Sequence, residues 1–209
     1  MDWLHNPDEI YRRSFAIVRD EADLSIVPDD MTDIAIRLVH ACGMPEIIPD
    51  LRWSDGAAQA ARDAISSGAP VLCDVQMVAE GIMGACLPTK HQIYSMIRLP
   101  SVAAIAEEQS TTRSAAQVEL WKPLLKGSVV AIGNAPTALF RLLEVIAEEP
   151  AQKPAVILGF PVGFVGAAES KDALHEIDHG VPYLTLLGRR GGSAMASAAV
   201  NAFAKKYEK

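Results

Sequence analysis

Arg37 and His40 stand three residues apart in "IAIRLVHACGM" (residues 34–44), a spacing that puts a cation and an imidazole on one side of a helix. Ile34, Ala35, Leu38, Val39 and Cys42 form that helix's apolar stripe, and at about 100° per residue His40 points nearly opposite its centre. Gly43 is a natural stop in the left-handed conformation. At a helix C-terminus the dipole favours imidazolium, while the nearby Arg37 opposes it. Such opposed influences would poise His40 near neutrality as a proton donor. The same placement equally suits a surface histidine that helps to cap its helix. Spacing alone leaves both readings open.

Two further residues sit where their chemistry is unexpected. Ser14, in "IYRRSFAIV", falls between Ile10, Ile17 and Val18 on the expected apolar face of the first helix. A hydroxyl there either bonds its own helix carbonyl four residues back or is offered to a ligand lying over the helix. Arg113 follows Thr111-Thr112 at a helix start, where the dipole disfavours a cation, so it calls for an anionic partner or a neighbouring glutamate. His5, His91 and the remaining charges read as solvated surface. "HEIDH" (175–179) spells the HExxH signature of zinc proteases. Gly180 and Pro182 follow at once, which ends the helix where the second ligand would have to sit, and no third ligand stands at a suitable distance downstream. A polar turn before a strand explains the segment better, and no metal is expected.

The chain around these residues has 209 residues, half of them apolar, with a net charge of −7. That length suits one well-buried domain spanning 1–209, and the acidic balance argues against a general nucleic-acid binder. Cys42, Cys73 and Cys86 lack CxxC spacing and read as reduced, packed thiols of a cytoplasmic protein. No segment has the length or apolarity of a signal peptide or membrane span, so no membrane partner is expected.

Asn6-Pro7 with Glu9 marks one helix start, Asp29 or Asp30 is placed to cap the helix carrying His40, and Ser54 opens an alanine-rich helix that stops near Gly68. Five short apolar runs follow: "PVLCDV" (70–75), "QIYSMI" (92–97), "SVVAIGN" (128–134), "AVILGF" (155–160) and "YLTLLG" (183–188). Each is apolar on both faces, as buried parallel strands are. With helical patterns between most of them, at 111–125 and 136–149 among others, they predict a three-layer α/β/α fold with a mainly parallel, flavodoxin-like sheet of about five strands. Three late strands leave through glycines into helices: at Gly133-Asn134, at Gly159, Gly163 and Gly166, and at Gly188, Gly191 and Gly192 with Ser193 placed to cap. These turns share the carboxyl edge, where open α/β sheets bind ligands. Free amides at helix starts attract anions, and Arg189 and Arg190 add charge. Short connections also need Gly and Asn for their own sake. None of the loops is GxGxxG or GxxxxGK[ST], so no dinucleotide or P-loop nucleotide is indicated.

"DVQMVAEGI", "TTRSAAQVELW", "VVAIGNAPTALF", "GFPVGFVGAAESK", "GVPY" and "GRRGGSAMA" together resemble the precorrin-8X methylmutase family of cobalamin biosynthesis, over nearly the whole chain. The resemblance implies a homodimeric flavodoxin-like isomerase. It would move a methyl group from ring carbon 11 to ring carbon 12 of a corrinoid precursor and give hydrogenobyrinic acid. It places the acid on His40 and substrate contacts on Arg37, Ser14 and, through "TTRSAA", Arg113, with the site near the subunit boundary; Asn134, in the first glycine turn of the carboxyl edge, is the further substrate contact expected from the sheet-edge reading. A methyl shift within a conjugated ring calls for no cofactor, and one positioned acid can polarise the ring. The rivals are a tetrapyrrole carrier without catalysis, for which His40 would be dispensable, and a flavin or nucleotide protein using the same sheet edge.

Overall fold

The computed structural model describes residues 3–88 and 92–204. All five apolar runs form strands: β2 (Val71–Cys73), β3 (Ile93–Tyr94), β4 (Val129–Ile132), β5 (Val156–Gly159) and β6 (Tyr183–Leu186). A sixth, β1 (Leu51–Trp53), precedes them and was not expected. The sheet order is β1-β6-β5-β4-β2-β3, with β2 to β6 parallel and β1 antiparallel to β6. Taken in chain order, the five parallel strands run 2-1-3-4-5, the flavodoxin-like arrangement.

Alternation along the strands feeds two cores. Val71, Cys73, Val129 and Ala131 face one layer, which holds α2 (Asp29–Cys42), α3 (Ala57–Ser66), α4 (Gln76–Gly81) and α9 (Ser193–Phe203). Leu72, Val130 and Ile132 face the other, with α6 (Arg113–Leu125), α7 (Pro136–Glu148) and α8 (Ala167–Glu176). α5 (Pro100–Glu108) packs on α6, and α1 (Pro7–Glu21) lies outermost, on α2.

Helix starts follow the sequence in part. The Asn6 side chain accepts from Glu9 N–H at 3.1 Å and Pro7 leads α1, as expected. Asp29 and Asp30 do not cap α2: both fall inside its first turn behind Pro28, where they face the helix dipole without a capping bond. Ser54 does not open α3, which begins at Ala57 behind the left-handed Gly56; its Oγ accepts from Tyr183 N–H instead. Ser193 starts α9 without capping it. On α1, Ile10 and Ile17 are 43% and 47% exposed, so the inward face is not the one expected. Tyr11, Ser14, Phe15 and Val18, at i, i+3, i+4 and i+7, turn toward α2.

The register carries α2 to the ligand edge. Leu51 pairs with Leu186, the last residue of β6, so the 3-10 turn Pro45–Asp50 that follows α2 lies at the carboxyl edge. Leu187 N–H donates to Asp50 C=O at 2.9 Å there, and Arg190 Nη1 stands 3.7 Å from Glu46 Oε1. α6 leads into β4 and α7 leaves it, so both helices begin at this edge.

The direction of winding reverses between β2 and β4, and Asp74 sits at that point, fully buried. Its Oδ1 accepts from Gly133 N–H at 2.9 Å, and its Oδ2 accepts from Asn134 and Ala135 N–H at 2.8 Å each. Its own carbonyl accepts from Gln117 Nε2 at 2.6 Å. Beside it a Cβ on Gly133 would stand 2.7 Å from Ser193 Cα and 2.9 Å from Ala196 Cβ, so α9 approaches the turn as closely as a bare glycine allows. Gly133→Ala is expected to lower unfolding stability by about 1–3 kcal/mol through this overpacking. Asp74→Asn should cost roughly 2–4 kcal/mol, since its amide nitrogen would meet N–H donors. Urea unfolding midpoints at unchanged slope measure both, and wild-type midpoints would refute both structural roles.

Candidate active site

Ser14, Arg37 and His40 come together where α1 crosses α2. Ser14 Oγ lies 2.9 Å from His40 Nδ1. The hydroxyl therefore serves neither its own helix carbonyl nor open solvent; it holds the imidazole. Phe15 packs against the His40 ring at a centroid distance of 4.9 Å and stacks on Tyr11 at 4.3 Å. Arg37 Nη2 donates to Tyr11 Oη at 2.8 Å, and its guanidinium lies 5.6 Å from the Phe15 centroid. Tyr11 and Phe15 were not singled out in the sequence, although their i+4 spacing and their placing around Ser14 carried the signal.

His40 is exposed at the surface, and with Nδ1 held by Ser14 its Nε2 is the nitrogen left for a ligand. Partial burial against Phe15, and then the charge of Arg37, holds its pKa below the ordinary histidine range. The helix dipole does not outweigh them. Both effects favour the neutral form of the imidazole, which Ser14 orients at Nδ1.

Arg113 and Asn134 form a second group on the opposite layer of the same edge. Thr112 caps α6, accepting from Ala115 N–H at 3.1 Å, and its Oγ1 lies 2.8 Å from Thr137 Oγ1 in the first turn of α7. That contact fixes the two helix starts side by side, with Arg113 and Asn134 both exposed. Among the described residues no carboxylate pairs with Arg113, so the glutamate alternative falls away.

The expectation of free amides at the three glycine turns needs correcting. Those of Gly133, Asn134 and Ala135 are taken by Asp74. Gly163 N–H donates to Arg189 C=O at 3.2 Å and Gly192 N–H to Phe160 C=O at 2.8 Å. Positive charge at this edge comes from the exposed side chains of Arg189 and Arg190. Asp74 also fills the switch point where a flavodoxin-like sheet seats its flavin, which counts against the flavin and nucleotide rival.

"HEIDH" does not assemble a ligand pair. α8 ends at Glu176. His179 lies beyond it, with Nε2 donating to Leu174 C=O at 2.9 Å and Nδ1 accepting from Val181 N–H at 3.2 Å. His175 Nδ1 is 2.6 Å from Tyr183 Oη. A cavity of about 430 Å³ opens beside these residues, where the chain enters β6, at the sheet edge away from His40. His5 is exposed, and His91 lies outside the described residues.

The family model for precorrin-8X methylmutase matches residues 9–206. The chain is 52% identical over 208 residues to the precorrin-8X methylmutase of Pseudomonas aeruginosa, covering all of both chains. It is 38% identical to the cobalt-precorrin-8 methylmutase of Methanothermobacter thermautotrophicus, covering 93% of this chain and 90% of that one. Among solved structures, precorrin-8X methylmutase from Thermus thermophilus superposes with a TM-score of 0.85 at 36% identity, over 95% of each chain.

The electrostatics can be checked without substrate. By NMR the His40 ring should titrate below the ordinary histidine range, and Arg37→Ala should move the midpoint upward. A downward move on removing Arg37 would contradict the assignment of that charge to His40.

Proposed function

The chain belongs to the precorrin-8X methylmutase family, and from that membership we propose that it isomerises precorrin-8X in cobalamin biosynthesis, moving the methyl group from ring carbon 11 to ring carbon 12 to give hydrogenobyrinic acid. One carbon–carbon bond breaks and one forms, and the composition of the molecule does not change. The metal-free substrate is favoured, because the relative at 52% identity carries the precorrin-8X name while the one at 38% carries the cobalt-precorrin-8 name.

His40 is the proton donor in this reading, and the observation that carries it is the Ser14–His40 pair at 2.9 Å with Arg37 alongside. Ser14 holds Nδ1, so Nε2 faces the macrocycle and delivers a proton to the ring or to a ring nitrogen. The polarised π-system then releases the migrating methyl more readily, and the proton returns once the new bond has formed. The proton comes to His40 with the substrate. Ring carboxylates that settle by Arg37 offset its charge and favour the imidazolium, so binding and protonation support each other. Arg37, Arg113, Asn134, Arg189 and Arg190 hold the carboxylates at the ring's rim.

A homodimer completes the site. α1 supplies Ser14 and Phe15 from the outermost position in its layer and shows Ile10 and Ile17 to solvent, a face suited to cover by a second copy.

The test separates acid from anchor. With precorrin-8X the wild-type protein should convert the spectrum to that of a longer conjugated system. His40→Ala should lower turnover by about two to four orders of magnitude while still binding the product. Arg37→Ala should weaken binding first. In the wild type, kcat/KM should fall as pH rises through the depressed His40 pKa, and Arg37→Ala should move that limb to higher pH. Near-normal turnover in a folded His40→Ala protein would mean that the acid lies elsewhere, and binding without turnover in the wild type would favour a carrier.

A further inference from the structure

Lys171, on the second turn of α8, is fully buried. Its Nζ donates to the carbonyl of Arg190 at 2.5 Å. Among the described residues this is the one hydrogen bond of an ammonium that carries three donors. The acceptor is neutral, and the carboxylate that acts on the charge is the adjacent Asp172. Burial pulls the amine's pKa down to about 8.

A buried ammonium is a costly way to satisfy one carbonyl, because a side-chain amide or hydroxyl would do so without the desolvation of a charge. The surroundings explain the choice. The carbonyl belongs to the Gly188–Gly192 turn, the exit from β6, which carries Arg189 and Arg190 at the carboxyl edge. That turn is pressed onto the exit from β5: Gly191 lies so close that a Cβ would meet the Phe160 carbonyl oxygen at 2.4 Å. Gly192 N–H donates to that same carbonyl at 2.8 Å, and Gly163 N–H donates to Arg189 C=O at 3.2 Å. Arg189 also lies 5.3 Å from the ring centroid of Phe164, which is 84% exposed. The two exits therefore form one braced unit with cations on its outer side, and Lys171 stands beneath it. Glu46, 3.7 Å from Arg190, is the carboxylate that meets this group of charges from the α2 side.

We propose that Lys171 is a positioning residue for substrate capture: from inside the fold it fixes the Arg189–Arg190 turn and adds a third positive charge behind it, so that the edge is preset for the carboxylates of the macrocycle. This rests on the carboxyl-edge reading under Proposed function. The effect runs through the geometry of the turn and through the positive field that the three cations set up together at the solvent-facing edge, a field that salt screens. The role belongs to binding, since nothing places Lys171 against the reacting carbons.

The test uses full-length enzyme with precorrin-8X. Lys171→Met, close in volume, should raise KM about ten-fold while kcat stays within about two-fold, the signature of lost binding rather than lost chemistry. It should also flatten the dependence of KM on ionic strength, which a purely structural substitution would leave unchanged. If Lys171→Met does not fold, Lys171→Gln removes the charge while offering a shorter, neutral amide donor on the side of the Arg190 carbonyl; it should still raise KM and flatten the salt dependence. Unchanged KM, or a fall in kcat alone, would overturn the role. The Arg189→Ala/Arg190→Ala double variant separates the two readings. A wild-type KM there would take down the carboxyl-edge reading and this role with it. A raised KM there beside a wild-type KM in Lys171→Met would take down the Lys171 role alone.

Discussion

One buried carboxylate organises the ligand edge of this sheet. Asp74 ends β2, accepts the three successive amides that leave β4, and so closes the crevice where the winding reverses. Its burial raises its pKa, and the three donors pull against that rise. The start of α7 is fixed by this contact. Through Thr137 and Thr112 the start of α6 follows, and with it the place of Arg113 at the carboxyl edge. The same contact settles what the edge will not do: a phosphate would have to displace an internal anion from the amides that would bind it. At this turn a flavodoxin-like topology is thereby diverted from its usual ligand class, and the exposed positive charge nearby lies on the side chain of Arg113.

The opposite layer obeys a different constraint. α1 gains little burial of its own, with Val18 as its one buried residue. Its contact with α2 is made largely by Tyr11, Ser14 and Phe15 against Arg37 and His40. Polar and aromatic groups stand where a structural helix pair would place aliphatic ones, so packing strength is exchanged for orientation of the imidazole. The proposed function would account for that exchange, because an aliphatic seam would hold α1 more firmly and leave His40 without a partner at Nδ1.

Much of this was legible in the sequence, because strands buried on both faces declare themselves as continuous apolar runs. β1 was not, since three residues between two turns carry no periodicity. Strand order was equally out of reach, as it is set by which helices cover which face. His40 and Arg37 stand out by their spacing and Ser14 by its polarity on an expected apolar face, and the structure brings the three together. That face was misjudged because Ile10 and Ile17 are apolar yet exposed, and apolarity alone does not show which side a neighbour covers. Asp74 and Lys171 went unnoticed for a shared reason: a single charge inside an ordinary segment carries no pattern, and both act through backbone groups far away in the chain.

The depressed pKa of His40 looks at first like an argument against an acid, and it bears on how the site works. A permanently charged imidazole beside Arg37 would add repulsion to every moment the site stands empty. Holding the pair at one net charge avoids that cost in the free enzyme. Under the proposed reaction it also makes the acid conditional, because substrate carboxylates brought against the guanidinium would favour the proton. A ligand without the anionic rim would leave His40 neutral and the ring unpolarised. In that proposed reaction, discrimination and activation would rest on the same two side chains, one turn apart on α2. The serine beneath them keeps that turn aimed through both protonation states, because a hydroxyl can accept from Nδ1–H or donate to bare Nδ1.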